Sequence, residues 1–177
     1  MDDWIEEDLR RQSEVVEEAH RDLEQRMIKQ PIQALDPPAA IALHRDASLA
    51  DAVALMRSKG IGCVLVVEDD RLVGLLTERD LLLKVLGRVS DLDAVPLSRY
   101  MTPDPEVLHL EDPIVFALNK MSLGGFRHVP LVDQERRPVG VVSVKLIVQY
   151  IVEFFPQEVS NLPPEPGKNV AHSREGA

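Results

Sequence analysis

The chain contains one passage written twice. The stretch from residue 41, IALHRDASLADAVALMRSKGIGCVLVVE, lies without a gap over EVLHLEDPIVFALNKMSLGGFRHVPLVD from residue 106. Leu43 and His44 fall on Leu108 and His109, and Ala52 and Met56 on Ala117 and Met121. Gly60, Val64 and Val67 fall on Gly125, Val129 and Val132; after one inserted residue, Arg71, Val73 and Gly74 fall on Arg137, Val139 and Gly140. A unit of this size cannot cover its own sheet, so two copies must pack on each other.

Each copy predicts strand, helix, strand, strand, helix. A short extended piece, 41–44 or 106–109, leads to a helix near Ser48 or Asp112, both N-cap residue types, and Pro113 suits a first helical position. Leu49, Ala52, Val53 and Met56, then Ile114, Ala117, Leu118 and Met121, have the three-four spacing of a buried helix face. Gly60 and the Gly124–Gly125 pair end those helices. Hairpins follow at 63–67 with 72–76 and at 128–132 with 139–142, joined by EDDR and DQERR. A last helix starts at Thr77 or Ser143 and runs to about residue 86 or 155.

Two flanks surround the repeats. Residues 1–30 place Trp4, Ile5, Leu9, Val16, Ala19, Leu23 and Met27 on one stripe, with acid-first pairs such as Glu6–Arg10 and Asp22–Arg26. That pattern predicts a long acidic amphipathic helix, docking on its own core, on a sister chain, or on another protein. The division is therefore 1–30 helix, 31–96 first repeat, 97–156 second repeat, and 157–177 a Pro-rich, largely flexible tail.

Lys and Arg total 20 against 30 Asp and Glu, a net charge of −10, and aromatic residues make up 4%. Such a chain repels phosphate backbones and offers few stacking platforms, so neither nucleic acid nor an anionic membrane surface is the expected partner. One cysteine, Cys63, gives no disulfide framework, and no apolar run reaches the ~20 residues of a membrane span. A cytoplasmic setting is expected. The five histidines have no metal-ligand spacing, and no nucleophile–base set stands out, so neither a metal nor catalysis is expected.

The hairpins end in GLLTERD, residues 74–80, and GVVSVKL, residues 140–146. Thr77 and Ser143 stand where a strand gives way to a helix, where free N–H groups attract anions. Asp80, one turn on, is acceptor-only and suits the two hydroxyls of a ribose. The same Thr-x-x-Asp spacing also forms a helix cap, and both roles can coexist.

With G-h-h-[S/T]-x-x-D closing the first unit and its partial copy closing the second, residues 38–155 resemble a CBS-domain pair (cystathionine-β-synthase-like). The resemblance implies an α+β fold of two β-α-β-β-α repeats in a pseudo-symmetric pair, non-catalytic, binding an adenosine-containing ligand in clefts between the units and commonly a homodimer. AMP, ADP and ATP head the ligand class, with S-adenosylmethionine also in it. Each cleft takes its carboxylate from one repeat and its wall from the other. That places Leu75, Thr77, Arg79 and Asp80 opposite Glu106, Val107, Arg127, His128, Val129, Pro130 and Lys145. Leu75, Val107 and Val129 would flank a purine, and Arg79, Arg127, His128 and Lys145 a phosphate. The other cleft, lined by Ile41, Gly62, Cys63 and Ser143, has Leu146 in place of the acid and is expected to be degenerate, empty or filled by side chains. The implied function is a one-cleft sensor modulating a partner protein; the competing reading is a dimerisation or interaction scaffold that binds no ligand.

Overall fold

The computed structural model describes residues 28–154. The N-terminal helix expected over 1–30 falls outside them save for its last three residues, and the tail at 157–177 lies wholly outside. The first repeat contributes β1 (Ala42–His44), α1 (Leu49–Lys59), β2 (Cys63–Glu68), β3 (Arg71–Thr77) and α2 (Glu78–Asp80), which continues as a π-helical turn over Leu81–Val85. After β4 (Thr102–Pro103), the second contributes α3 (Ile114–Gly124), β5 (His128–Val132), β6 (Pro138–Ser143) and α4 (Val144–Phe154). The order is β1-β2-β3-β4 in one sheet and β5-β6 in the other. In the second repeat the counterpart of β1 is reduced to a single parallel bridge, Leu108 to Leu131.

Local signals act where the residue types require. Ser48 caps α1 in a capping box with Asp51, and Gly60 and Gly125 close α1 and α3 in the left-handed conformation at φ 64° and 66°. The two-residue turn at Asp69 and Asp70 has positive φ at both, the geometry that matches strand twist in a tight hairpin. Both hairpins slip register at equivalent points, between Val66 and Val67 and between Leu131 and Val132. One expectation needs correction: Asp112 does not cap α3. Its carboxylate accepts the His109 N–H at 2.7 Å instead, and Pro113, extended at φ −62° and ψ 142°, occupies the cap position.

The repeats are tied together by exchange. A 3-10 turn at Ile32–Leu35 opens the first repeat, yet its N–H groups reach into the second, Ile32 to the Asp112 carbonyl at 2.8 Å and Gln33 to Leu110 at 2.9 Å. The matching turn at Leu97–Arg99 opens the second repeat and bonds the first, Leu97 to Ala47 at 2.9 Å and Ser98 to Arg45 at 3.0 Å. Ile32 and Leu35 are buried with Ile114, Ala117, Met121 and Ile147; Leu97 is buried with Leu49, Ala52, Val66 and Leu76. Each repeat's leading segment therefore completes the other repeat's core.

The exchange also gives the repeated glycine its reason. Gly74 pairs with Pro103 and Gly140 bridges Ala39, each at the crossing of the other repeat's leading segment. A Cβ on Gly140 would stand 3.1 Å from the Pro38 carbonyl oxygen, and one on Gly74 would overlap Met101. Between the sheets, Cys63, Leu65, Leu72 and Leu75 pack with Val132, and Val107 and Val141 lie against them.

Because the two cores share segments, both repeats should unfold in one urea transition. Ile32→Ala should remove about 2–5 kcal/mol from it, the range for an aliphatic side chain fully buried. Two separated transitions in the wild type would contradict the exchange as a source of cohesion.

Candidate functional site

The two hairpin ends carry different polar arrangements. In the first, Thr77 caps α2: its Oγ1 accepts the Asp80 N–H at 3.2 Å and donates to Asp80 Oδ2 at 2.7 Å, while the Thr77 N–H donates to the same oxygen at 2.9 Å. Lys84, one turn on, holds Oδ1 at 2.7 Å. Asp80 is the only buried charged side chain among the described residues. A buried carboxylate must be paired, and the cap and Lys84 together do this. The capping role anticipated for Thr77-x-x-Asp80 is thus present in full.

In the second repeat, Ser143 repeats the cap weakly, its Oγ accepting the Leu146 N–H at 3.2 Å. Beside it opens a cavity of about 650 Å³, walled by Ile41, Gly62 and Cys63 of the first repeat and by 143–146 of the second. The volume lies within the ordinary range of small-molecule sites. All four residues expected in the degenerate cleft line it, and so do Arg127, His128 and Lys145, which the sequence assigned to the Asp80 side. The Val144 N–H donates to the Arg127 carbonyl at 3.1 Å, which fixes the start of β5 against the start of α4.

The lining of this cleft differs from the expected one, which was to have no carboxylate and little positive charge. It is not filled by side chains, and it includes Glu78 as well as Arg127 and Lys145. Sequence reading passed over Glu78 because it occupies a variable position of the motif. The available signal was the contrast with its counterpart, Val144.

The remaining expected residues are dispersed. Arg79 donates to the Gly125 carbonyl at 3.0 Å, tying the start of α2 to the end of α3. Glu106 pairs with Lys120 on α3. Val129 is fully buried in the second repeat's own core, so it turns away from the inter-repeat face. Leu75 and Val107 do lie between the sheets, and Pro130 is buried on β5. None of these six, nor Thr77 or Asp80, lines the 650 Å³ cavity.

Two titratable groups on the cavity wall are perturbed. Burial pushes the Cys63 thiol up to about 12, with the Glu78 charge adding to it, so Cys63 is a packed, unreactive thiol at neutral pH. Burial and the nearby Arg127 hold the His128 imidazole below its ordinary value of 6.5, against the pull of Glu78. Among the described residues no group of three or more His, Cys, Asp or Glu could hold a metal, and no helix is long and apolar enough to cross a membrane.

Two outcomes follow from these environments. Asp80→Ala removes the carboxylate acceptor of the capping box and the ion-pair partner of Lys84, which keeps only its bond to the Tyr100 carbonyl, and should cost about 2–3 kcal/mol in chemical denaturation; a loss of a few tenths would mean that the pair contributes little. For His128 the folded value is depressed, so the unfolded chain takes up the proton first as pH falls. Its contribution is complete above about 6.5 and is lost as pH drops through the folded value. The melting temperature of the wild type should fall between about pH 7.5 and 5.5 more steeply than that of His128→Gln; parallel profiles would exclude His128 as the source.

The family model for the CBS domain matches residues 16–87 and 97–153, which is more than half of the chain. An uncharacterized 17.7 kDa protein of Acidianus ambivalens is 29% identical over 107 residues, 60% of this chain and 63% of that protein. The chain spans less than two thirds of the length of such relatives, and only 15% of a CBS domain-containing protein of Arabidopsis thaliana. Among solved structures, a protein with CBS domains from Burkholderia ambifaria is similar at a TM-score of 0.63 and 25% identity, over 69% of this chain and 93% of that one. The CBS domain pair of protein MJ0100, in complex with 5′-methylthioadenosine and S-adenosyl-L-methionine, is similar at a TM-score of 0.62 and 24% identity, over 69% and 99%. With two matched repeats and the pair architecture in place, the chain belongs to the CBS domain family, whose modules regulate rather than catalyse.

Proposed function

We propose that this CBS pair is a ligand sensor that binds an adenosine-containing molecule between its repeats and passes the occupied state to a partner protein. The observation that carries the reading is the 650 Å³ cavity, whose walls come from equivalent elements of both repeats. A ligand there touches both units at once. It can shift their arrangement only as far as its affinities for the two arrangements differ.

The lining suits the chemistry. Ile41, Val141 and Leu146 give apolar surface for a base. Ser143 lies at the start of α4, with Lys145 and Arg127 beside it, a favourable place for phosphate. The protein MJ0100 binds two adenosine compounds on the same fold. Exposed apolar side chains on α3 and α4, including Phe116, Leu123 and Val148, support assembly with a second copy, and a cytoplasmic nucleotide pool would supply the ligand. The scaffold reading draws on the Asp80 side, where the cap and Lys84 already occupy the carboxylate.

Thermal unfolding with AMP, ADP, ATP, 5′-methylthioadenosine and S-adenosylmethionine separates the two. A ligand at 100 times its dissociation constant adds about 2.7 kcal/mol, a rise of about 5–10 °C for a domain of this size. No rise with any of them at millimolar concentration would leave the scaffold.

A further inference from the structure

The second repeat has Leu146 where the first has Asp80, yet its cavity does contain a carboxylate. Glu78, the first residue of α2, comes from the opposite repeat. Its N–H donates to the Gly62 carbonyl at 3.1 Å, pinning it at the cavity edge. Its Oε2 lies 3.4 Å from where a Cβ on Gly62 would stand, and the His128 ring lies 3.3 Å from the same point. A side chain at position 62 would crowd both groups.

The state of Glu78 contrasts with that of Asp80. Asp80 is engaged by Thr77 and Lys84; Glu78 has no side-chain hydrogen bond or ion pair among the described residues. Nor do Arg127 and Lys145, on the second-repeat wall. The cavity thus presents an uncommitted acceptor on one side, uncommitted cations on another, and the apolar Ile41, Val141 and Leu146 as further wall.

We propose that Glu78 supplies, from the opposite repeat, the hydroxyl-accepting carboxylate that Leu146 cannot, making the Ser143 cavity a binding site for an anionic ribonucleoside ligand. The proposal rests on the reading of the pair as an adenosine-ligand sensor. An ionised carboxylate accepts at both oxygens, which matches the 2′- and 3′-hydroxyls of a ribose, while Arg127 and Lys145 meet the phosphate. In this chain the ribose-binding acid has moved from the third helical position of its own repeat to the first helical position of the other.

Isothermal calorimetry of the full chain with AMP and 2′-deoxyAMP tests it, on wild type, Asp80→Asn, Glu78→Gln and the double variant. Asp80→Asn keeps an acceptor for the cap, and Glu78 is exposed, so all four should fold; melting curves check this. Asp80→Asn is expected to retain AMP binding and to prefer AMP over 2′-deoxyAMP. Adding Glu78→Gln should weaken AMP by about tenfold or more and erase that preference. If wild type binds AMP and Asp80→Asn does not, the ligand site is at Asp80 and the Glu78 proposal fails while the sensor reading stands. Equal AMP affinity in Asp80→Asn and the double variant likewise overturns it. If wild type binds neither AMP, ADP, ATP nor S-adenosylmethionine at millimolar concentration, the sensor reading fails and the Glu78 proposal with it.

Discussion

Among the backbone hydrogen bonds that join the two halves, six come in matched pairs. Ile32 to Asp112, Gln33 to Leu110 and Ile114 to Gln30 join one leading segment to the second repeat; Leu97 to Ala47, Ser98 to Arg45 and Leu49 to Val95 join the other segment to the first. Each bond satisfies a backbone group at a helix start or a turn that would otherwise be left near the core. Ile32 and Leu97, both fully buried, add the apolar counterpart. Without this exchange each repeat would leave one helix flank open, and the clefts between the sheets would have no fixed walls.

On this symmetric frame the polar chemistry is asymmetric. The first repeat buries a carboxylate and satisfies it locally, with a hydroxyl, a backbone N–H and a lysine around Asp80. The second repeat replaces that acid by Leu146 and leaves an open cavity, where the charges belong to Glu78, Arg127 and Lys145. A polar group committed to a cap contributes to stability, whereas an uncommitted one at a cavity is available for recognition. The same seven-residue phrase is satisfied locally in one copy and stands beside an open cavity in the other.

Much of the fold was legible because its determinants are local. Helical spacing marked the buried faces of α1 and α3, Gly60 and Gly125 marked their ends, and alternating apolar runs between polar turns marked both hairpins. The exchange was harder to read, although Pro31-Ile32 and Pro96-Leu97 are separated by the same interval as the rest of the repeat. A four-residue turn carries no periodicity, and nothing in IQAL states which core will take its isoleucine. The position of the basic group is hard to read for a related reason. Arg127, His128 and Lys145 are legible as a basic group, but which cavity they line depends on how β5 meets α4. Asp112 was misjudged because a carboxylate before proline has another donor within reach, the His109 N–H, and geometry chose it.

Chain order and mechanical order therefore differ in this protein. The chain approaching Pro31 passes first through the second repeat, bridging Pro31 to Pro113 and seating Ile32 beside Ile114, before it reaches β1 of the first. Any load applied through the residues ahead of this point is borne by the repeat that is distant in sequence. A change in the angle between repeats would thus be felt upstream as a movement of the second unit, with the first as the reference.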